Sequence, residues 1–202
     1  MKGKLIVLEG IDGSGKSTQA KLLKADFLLA FPRYNYFFGK IIKLILHHEW
    51  GKKLSPYLVA GFFALDRLMA KKTINGYLEA GKTVLLDRYT GSSQAHQGAK
   101  LTGAAQQKLI DWIDWLENKF FQLPQADKVI YLQVPPQISK KLMRSRQKDE
   151  AEKEIVVRDD FLASRVYLLI GVLPANLITK KVKNRERGDN NDDNNKRMFH
   201  TR

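Results

Sequence analysis

The chain contains no cysteine. This absence excludes disulfide bonds, thiolate nucleophiles and zinc sites built from cysteine ligands. A chain without disulfide bonds is typical of a reducing compartment, so we expect a cytoplasmic location.

Long hydrophobic runs are also missing. The first apolar stretch covers only residues 5–8 and follows Lys4, which does not fit a secretory signal. The longest weakly charged stretch, residues 161–178, is interrupted by Arg165 and Pro174. Its uninterrupted part is shorter than the ~20 residues that cross a bilayer. We therefore expect no membrane partner.

Acidic residues are too few to balance the basic ones. The 202 residues include 35 Lys and Arg against 21 Asp and Glu, for a formal net charge of +14. Such a surplus is compatible with nucleic acids, anionic membranes or phosphorylated small molecules as ligands, and it does not choose among them.

Strand and helix patterns alternate along the chain. Short apolar runs at residues 4–9, 27–31, 83–86 and 128–134 lack polar alternation, as strands covered on both faces do. Helical periodicity lies between them, at residues 40–48, 56–80 and 104–121. This order predicts an α/β fold, a three-layer doubly wound parallel sheet of the P-loop NTPase type with helices on both faces.

The last residues differ in composition from the rest. Residues 180–202 carry eight Lys or Arg and four acidic residues, interleaved with asparagines, and hold few apolar residues. We expect one domain over residues 1–179, with residues 175–179 as a candidate last strand, and a disordered basic tail from residue 180.

The strongest motif is a glycine-rich loop directly after the first strand. GIDGSGKS, from Gly10 to Ser17, matches G-x-x-x-x-G-K-[ST]. In this pattern the backbone amides surround a polyphosphate, the lysine reaches its β and γ oxygens, and the hydroxyl binds Mg²⁺. The residues predicted to hold the ATP phosphates are Gly10, Asp12, Gly13, Ser14, Gly15, Lys16, Ser17 and Thr18.

Charged residues follow two further strands. Asp87 and Arg88 come after the third strand, and Arg33 comes after the second. Parallel strands end at the same sheet edge, where α/β folds bind ligands. We expect Asp87 to hold Mg²⁺ together with Ser17, and both arginines to bind phosphate oxygens.

These motifs together resemble the thymidylate kinase family of P-loop nucleoside monophosphate kinases. The similarity covers roughly residues 4–168. It is carried by EGIDGSGKST at residues 9–18, FPRY at 31–34, FFALDR at 62–67, LDRYTGSSQAHQGAK at 86–100 and RSRQKDEAEK at 144–153.

The resemblance implies roles at the monophosphate site. Asp12 would meet the sugar 3′-hydroxyl, Arg33 would bind the phosphate, Phe63 would stack on thymine and Arg67 would hydrogen-bond the edge of the base. Without the resemblance, Phe63 would be assigned to the core and Asp66 with Arg67 to a solvated pair. Further nucleoside contacts are implied for Ser92, Ser93, His96 and Gln97.

The resemblance also implies a mobile lid over ATP at about residues 140–155. Its Arg144 and Arg146 would join Lys16, Arg33 and Arg88 as catalytic cations. One branch of the family carries an arginine inside the glycine loop instead. Because the loop has Gly13 at that position, the branch with lid arginines fits better.

Three features depart from the family pattern. His96 stands where a tyrosine often excludes a 2′-hydroxyl, and its smaller ring is expected to titrate near neutrality. The segment between Lys16 and Phe31 is short, so the first helix must be brief. The C-terminal region is a poor match for a closing amphipathic helix.

The implied reaction is transfer of the ATP γ-phosphoryl group to dTMP, which yields dTDP and ADP for dTTP synthesis. The implied cofactors are ATP and Mg²⁺, and the implied assembly is a homodimer. Ile110, Ile113 and Phe120 form either its surface or part of the core. Two alternatives stay open at this point: another pyrimidine monophosphate or deoxynucleoside kinase, and a catalytically weak relative that binds nucleic acid.

Overall fold

A computed structural model describes residues 2–149 and 180–182. Its elements are, in chain order, β1 (Lys4–Glu9), α1 (Lys16–Leu22), β2 (Phe27–Ala30), α2 (Phe37–His47), α3 (Glu49–Lys52), α4 (Pro56–Glu79), β3 (Thr83–Asp87), α5 (Thr90–Gly98), α6 (Gly103–Asp114), a π-helix (Trp115–Phe120), β4 (Lys128–Leu132), α7 (Pro136–Asp149) and β5 (Lys180–Val182).

The described strands form one parallel sheet in the order β2-β3-β1-β4-β5. Val7 of β1 lies opposite Leu86 of β3 on one side and Val129 of β4 on the other. The chain places β2 and β3 on one side of β1 and the later strands on the other. A ligand crevice is therefore expected at the carboxyl end of β1.

Helices cover both faces of the sheet. Leu5 and Val7 point to one face, where they pack with Ile74 and Leu78 of the long helix α4. Burial of such side chains contributes about 1.5–3 kcal/mol each.

The opposite face is covered by a shorter helix. Leu8 and Leu85 pack against Ala20 of α1, which has only seven residues. Since side chains alternate along a strand, neighbouring residues of β1 pack into the two hydrophobic cores, one on each face of the sheet. The predicted three-layer doubly wound fold is confirmed, and so is the brief first helix.

The end of the sheet differs from the sequence prediction. β5 covers Lys180–Val182 and pairs in parallel with β4, Lys180 opposite Ile130 and Val182 opposite Leu132. This strand begins where the sequence analysis placed the start of the tail, and the domain boundary at residue 179 stays a prediction. Lysines are common on edge strands, where they discourage further pairing, and an apolar pattern does not reveal such a strand. Residues 150–179 and 183–202, with the predicted strand at 175–179 and the rest of the tail, lie outside the described residues.

The predicted dimer stripe does not lie on one surface. Ile113 is buried with Ala60 and Leu109 between α6 and α4, whereas Phe120 is exposed beside Trp115. For Ile113 the core alternative is correct. In the part of the chain that the structure describes, no helix is long and apolar enough to span a bilayer.

Candidate active site

The loop between β1 and α1 uses glycines where other residues would be strained. Gly13 and Gly15 have φ angles of 72° and 87°, in the left-handed region that favours glycine. At Gly13 an added Cβ would also lie 2.6 Å from Met143 Cγ and 2.8 Å from the Ser139 carbonyl oxygen of α7. The motif's glycine spacing thus reflects both backbone conformation and close packing. All eight residues predicted to hold ATP lie in this loop or the first turn of α1.

Lys16 lies at the start of α1 with only 5% of its surface exposed. Its Nζ donates hydrogen bonds to the carbonyl oxygens of Gly10 at 2.9 Å and Ile11 at 2.8 Å. The ammonium group is therefore held against the loop that carries it. Its charge is already in place where the loop would receive a polyphosphate.

The two predicted metal ligands are in contact. Ser17 lies in the first turn of α1, and Asp87 is the last residue of β3. The Ser17 hydroxyl donates to Asp87 Oδ2 at 3.1 Å. The parallel sheet thus joins a hydroxyl and a carboxylate that are 70 residues apart in the chain.

Arg88 occupies a strained position beside them. Its φ of 72° is unusual for a non-glycine residue and costs about 1 kcal/mol. Its backbone N–H donates to the Leu8 carbonyl oxygen at 3.0 Å. Its guanidinium forms an ion pair with Asp12 and a long hydrogen bond of 3.5 Å to the Ser92 hydroxyl. Arg88 and Asp12, predicted for phosphate and sugar, are thereby joined.

Arg33 is held by a buried carboxylate. The Arg33 backbone N–H and Nε donate to the two Asp66 carboxylate oxygens, at 2.8 and 3.1 Å, and one terminal nitrogen donates to the Asp66 carbonyl oxygen at 2.7 Å. Tyr36 adds its ring 4.5 Å from the guanidinium carbon. Asp66 is 1% exposed, so Arg33 is fixed in direction before any ligand binds.

Phe63 and Arg67 lie one turn apart on α4, yet their environments differ. Phe63 is half-buried, and its stacking role stays a prediction, whereas Arg67 is 1% exposed. The alternative of a solvated Asp66–Arg67 pair is therefore wrong, because Asp66 binds Arg33 instead. Arg67 donates to Glu117 Oε1 at 2.5 Å and to the Ser93 hydroxyl at 2.7 Å.

A second buried carboxylate, Glu9, organises the start of α5. It accepts hydrogen bonds from the backbone N–H groups of Tyr89 at 3.0 Å and Ser92 at 3.1 Å. The Ser92 hydroxyl donates to its other oxygen at 2.6 Å. Ser92 and Ser93, both predicted to contact nucleoside, thus face different partners: Ser92 the end of β1, Ser93 the guanidinium of Arg67.

His96 corrects a sequence prediction. It is half-buried on α5, and burial lowers the pKa of its imidazole from the ordinary 6.5 to about 3. The positive charges of Arg88, Lys16 and Lys100 act in the same direction. The expected titration near neutrality is therefore wrong, and the ring is neutral at physiological pH. Gln97, one position further, is buried.

The comparisons with known proteins agree with this geometry. The family model described as thymidylate kinase matches residues 8–184.

The chain belongs to the thymidylate kinase family.

Named relatives of this family match most of the chain. Thymidylate kinase of Mycobacterium tuberculosis is 36% identical over 152 residues, which cover 70% of this chain and 71% of the relative. A probable thymidylate kinase of Pyrococcus abyssi is 38% identical over 157 residues, 72% of each chain. Thymidylate kinase from Candida albicans, described as having broad substrate specificity, superposes with a TM-score of 0.66 at 27% identity, and the match covers 87% of this chain and 80% of that one.

The lid that thymidylate kinases imply is described in part. Helix α7 packs its first half on the glycine loop: the Ser139 hydroxyl donates to the Asp12 carbonyl oxygen, and Met143 lies against Gly13. The backbone of Arg144 and Arg146 belongs to α7, but their side chains lie outside the described part, as do residues 150–155. Their catalytic role stays a prediction.

Three buried acidic residues of this thymidylate kinase-like site were not predicted: Glu9, Asp66 and Glu117 hold Ser92, Arg33 and Arg67 respectively. Glu9 leaves a trace in the sequence, since it is a charge at the end of an apolar strand. Asp66 sits between two predicted residues of α4. Glu117 has no comparable signal, because its helix shows acidic residues at several positions.

Proposed function

We propose that the protein transfers the γ-phosphoryl group of ATP to the 5′-phosphate of dTMP and releases dTDP and ADP. The observation that carries the proposal is the meeting of the glycine loop with Asp87 and Arg88 at one sheet edge, in a chain of the thymidylate kinase family. The dTTP pathway is where such a product would be used.

The donor set at this edge fits Mg²⁺. Two adjacent oxygen ligands of Mg²⁺ lie about 2.9 Å apart, given metal–oxygen distances of about 2.0–2.1 Å. Ser17 Oγ and Asp87 Oδ2 are 3.1 Å apart, and both are hard oxygen donors. Among the described residues, no group of three His, Cys, Asp or Glu could hold a metal. Phosphate oxygens and water would then complete the shell.

The bound metal would neutralise charge on the polyphosphate during transfer. The remaining work falls to the chain. The acceptor phosphate is an anion at neutral pH, so no general base is required. What the reaction needs is alignment of two mutually repelling anions and cations placed where negative charge spreads.

We assign these tasks to residues that the fold brings to the edge. Lys16 would contact the transferred phosphoryl group, and Arg88 and Arg33 would hold the acceptor phosphate. Asp66 and Asp12 keep these arginines in position, which lowers the ordering cost of binding. We further assign Arg144 and Arg146 to the ATP side when the lid closes, which would exclude water.

The nucleoside of dTMP would lie along α4 and α5. Phe63 is placed to stack on the base, with Asp12 near the sugar and Arg67, Ser92, Ser93 and Gln97 on the surrounding elements. His96 is neutral, so it would act by shape and hydrogen bonding instead of charge. Because the family often has a larger tyrosine at this position, turnover of UMP tests whether the site accepts a 2′-hydroxyl.

We also propose a homodimer and a cytoplasmic location. Trp115 and Phe120 stack on the surface with ring centroids 5.5 Å apart. An open cavity of about 400 Å³ lies between α4 and α6, lined by Tyr57, Phe62 and Trp112 among others. Such exposed apolar surface fits a self-association face. Sedimentation at micromolar concentration would report two chains per particle, and a monomer there would contradict the assembly.

The test of the reaction is a coupled ADP-release assay with wild-type protein and ATP. The acceptor panel comprises dTMP, dUMP, UMP, dCMP and thymidine, each with Mg²⁺ and with excess EDTA. We expect Mg²⁺-dependent turnover that is fastest with dTMP. Faster turnover of thymidine would indicate a nucleoside kinase. Salt-sensitive oligonucleotide binding without turnover would support the nucleic-acid alternative and contradict the proposal.

A further inference from the structure

Arg67 sits in a buried network of its own. Its NH1 donates to Glu117 Oε1 at 2.5 Å, and its NH2 donates to the Tyr89 carbonyl oxygen at 2.9 Å and the Ser93 hydroxyl at 2.7 Å. Its Nε is buried without a hydrogen-bond partner among the described residues. Two directions of the guanidinium are thus fixed by protein, and a buried donor still lacks an acceptor.

Glu117 is the acidic partner that stabilises this buried cation. It is 0% exposed, and its second carboxylate oxygen accepts a hydrogen bond from the Thr90 hydroxyl at 2.7 Å. Thr90 begins α5, two residues after Arg88. Glu117 therefore links the long helix α4 to the helix that carries the predicted nucleoside contacts.

The local backbone around Glu117 is unusual. Residues Trp115–Phe120 form a π-helix, a rare conformation that is found mostly as short insertions at functional sites. Within it, Glu117 is buried whereas Trp115 and Phe120 are exposed. The Glu117 carbonyl oxygen also accepts the Leu123 N–H at 2.9 Å as the chain leaves the π-helix. The rare backbone conformation and the buried carboxylate are two independent observations at one place.

From these contacts we infer that Glu117, fixed by Thr90, is a positioning residue that sets the base preference of the site through Arg67. This inference rests on the proposed function, in which Arg67 lies at the edge of the pyrimidine. A fixed guanidinium can only donate. It suits the O4 carbonyl of thymine or uracil and disfavours the N4 amino group of cytosine, which is itself a donor.

The physical reason is geometric. A guanidinium with several protein partners has one orientation, so the direction in which it donates is set before the base binds. When Glu117 is removed, Arg67 keeps its charge, which cannot be lost, but has no buried counter-charge. The guanidinium would then adopt other orientations and form other hydrogen bonds. Its discrimination between a carbonyl group and an amino group of the base would weaken.

The test measures kcat and KM for dTMP and dCMP, and KM for ATP, in Glu117→Gln, Glu117→Asp and Thr90→Val. Glu79→Gln, an exposed glutamate at the end of α4, is the matched control. For Glu117→Gln we expect KM for dTMP to rise about tenfold and the dTMP-over-dCMP ratio of kcat/KM to fall about tenfold, the size of one charged hydrogen bond. KM for ATP should stay within about twofold.

Thr90→Val keeps the ion pair and loses one hydrogen bond to the Glu117 carboxylate, so its ratio should fall less than that of Glu117→Gln, about threefold. Glu117→Asp keeps the charge on a shorter side chain and should lie between wild type and Glu117→Gln. If Glu117→Gln does not fold, as judged by circular dichroism, the dTMP-over-dCMP ratios of Glu117→Asp and Thr90→Val test the inference. A merely structural role would lower kcat equally for both monophosphates and leave the ratio unchanged, which would overturn the inference.

The wild-type arm separates this inference from the proposed function. Wild-type turnover of dTMP with an unchanged ratio in the variants refutes the role of Glu117 alone. No wild-type turnover of dTMP refutes the proposed function, and the inference falls with it.

Discussion

The phosphate side and the base side of the site are built in different ways. On the phosphate side, the loop from Gly10 to Ser17 is contiguous in the chain, and Lys16 bonds within it. On the base side, Arg67 depends on Glu117, fifty residues away, and on Ser93. The comparison teaches that phosphate binding is encoded locally, whereas base recognition depends on long-range packing.

The largest effect is expected from the local side. Lys16→Ala removes the ammonium group that the loop holds, and loss of such a preorganised cation should lower turnover with dTMP at least ~100-fold. The melting temperature should change little. The substitution removes two hydrogen bonds to carbonyl oxygens of the loop, but it leaves the packing of the two cores intact. The matched control is Lys21→Ala, an exposed lysine on the same helix. Near-normal turnover of Lys16→Ala would contradict the assignment of the glycine loop and Lys16 to the ATP phosphates.

Arg33→Ala tests a residue that links the phosphate side to the base side, because Arg33 is assigned to the acceptor phosphate and is held by Asp66 of α4. We expect about 100-fold lower turnover, because the proposed acceptor phosphate loses a fixed cation. We also expect a loss of about 3 kcal/mol in the free energy of unfolding, since Asp66 stays buried without its counter-charge. Urea unfolding and the coupled assay measure the two effects. A variant as stable and active as wild type would contradict both roles.

Glu9→Ala is expected to act mainly on stability. The substitution removes three hydrogen bonds from the start of α5 and leaves two backbone N–H groups buried, which should cost about 2 kcal/mol. Glu9→Gln keeps one acceptor oxygen and should cost less. Urea unfolding gives both values. If Glu9→Ala were as stable as wild type, the hydrogen bonds to α5 would not contribute to stability, and the prediction would be contradicted.

The smallest effect concerns pH. His96 has a pKa lowered to about 3, so the unfolded chain binds its proton more readily than the folded one. The stability that the neutral ring contributes is complete above pH 6.5 and declines as the pH falls towards 3. Turnover should show no step near pH 6.5 from this residue. Unfolding of wild type and His96→Gln compared at pH 7.5 and 5 should show a steeper loss for wild type, and parallel curves would contradict the burial of the ring.

Much of the fold could be predicted because its signals are local. Apolar runs identified β1 to β4, and the glycine pattern placed Lys16 and Ser17 after β1. Asp87 was placed correctly beside Ser17 because Asp87 lies at the carboxyl end of β3 and Ser17 follows the carboxyl end of β1, at the same sheet edge. These inferences need only strand direction and the rule that parallel strands share an edge.

The rest could not be predicted because it depends on partners distant in sequence. Helical periodicity continues through residues 115–120, and nothing in it reveals the π-helix that buries Glu117. The burial of Arg67 follows from the packing of α4 against α5 and the π-helix, not from its neighbours in the chain. The lysines of β5 carry no apolar signal, and the neutrality of His96 comes from its surroundings.

The most direct test of the whole account is calorimetric titration with a compound that joins adenosine and thymidine through five phosphates. Such a molecule spans both nucleotide positions, and linking the two halves raises their effective concentration. The account predicts one molecule bound per chain, at least ~100-fold more tightly than dTMP, with the affinity abolished by EDTA and by Lys16→Ala. Binding no tighter than that of dTMP, or unaffected by EDTA, would contradict the claim that one sheet edge holds both nucleotides across a magnesium ion.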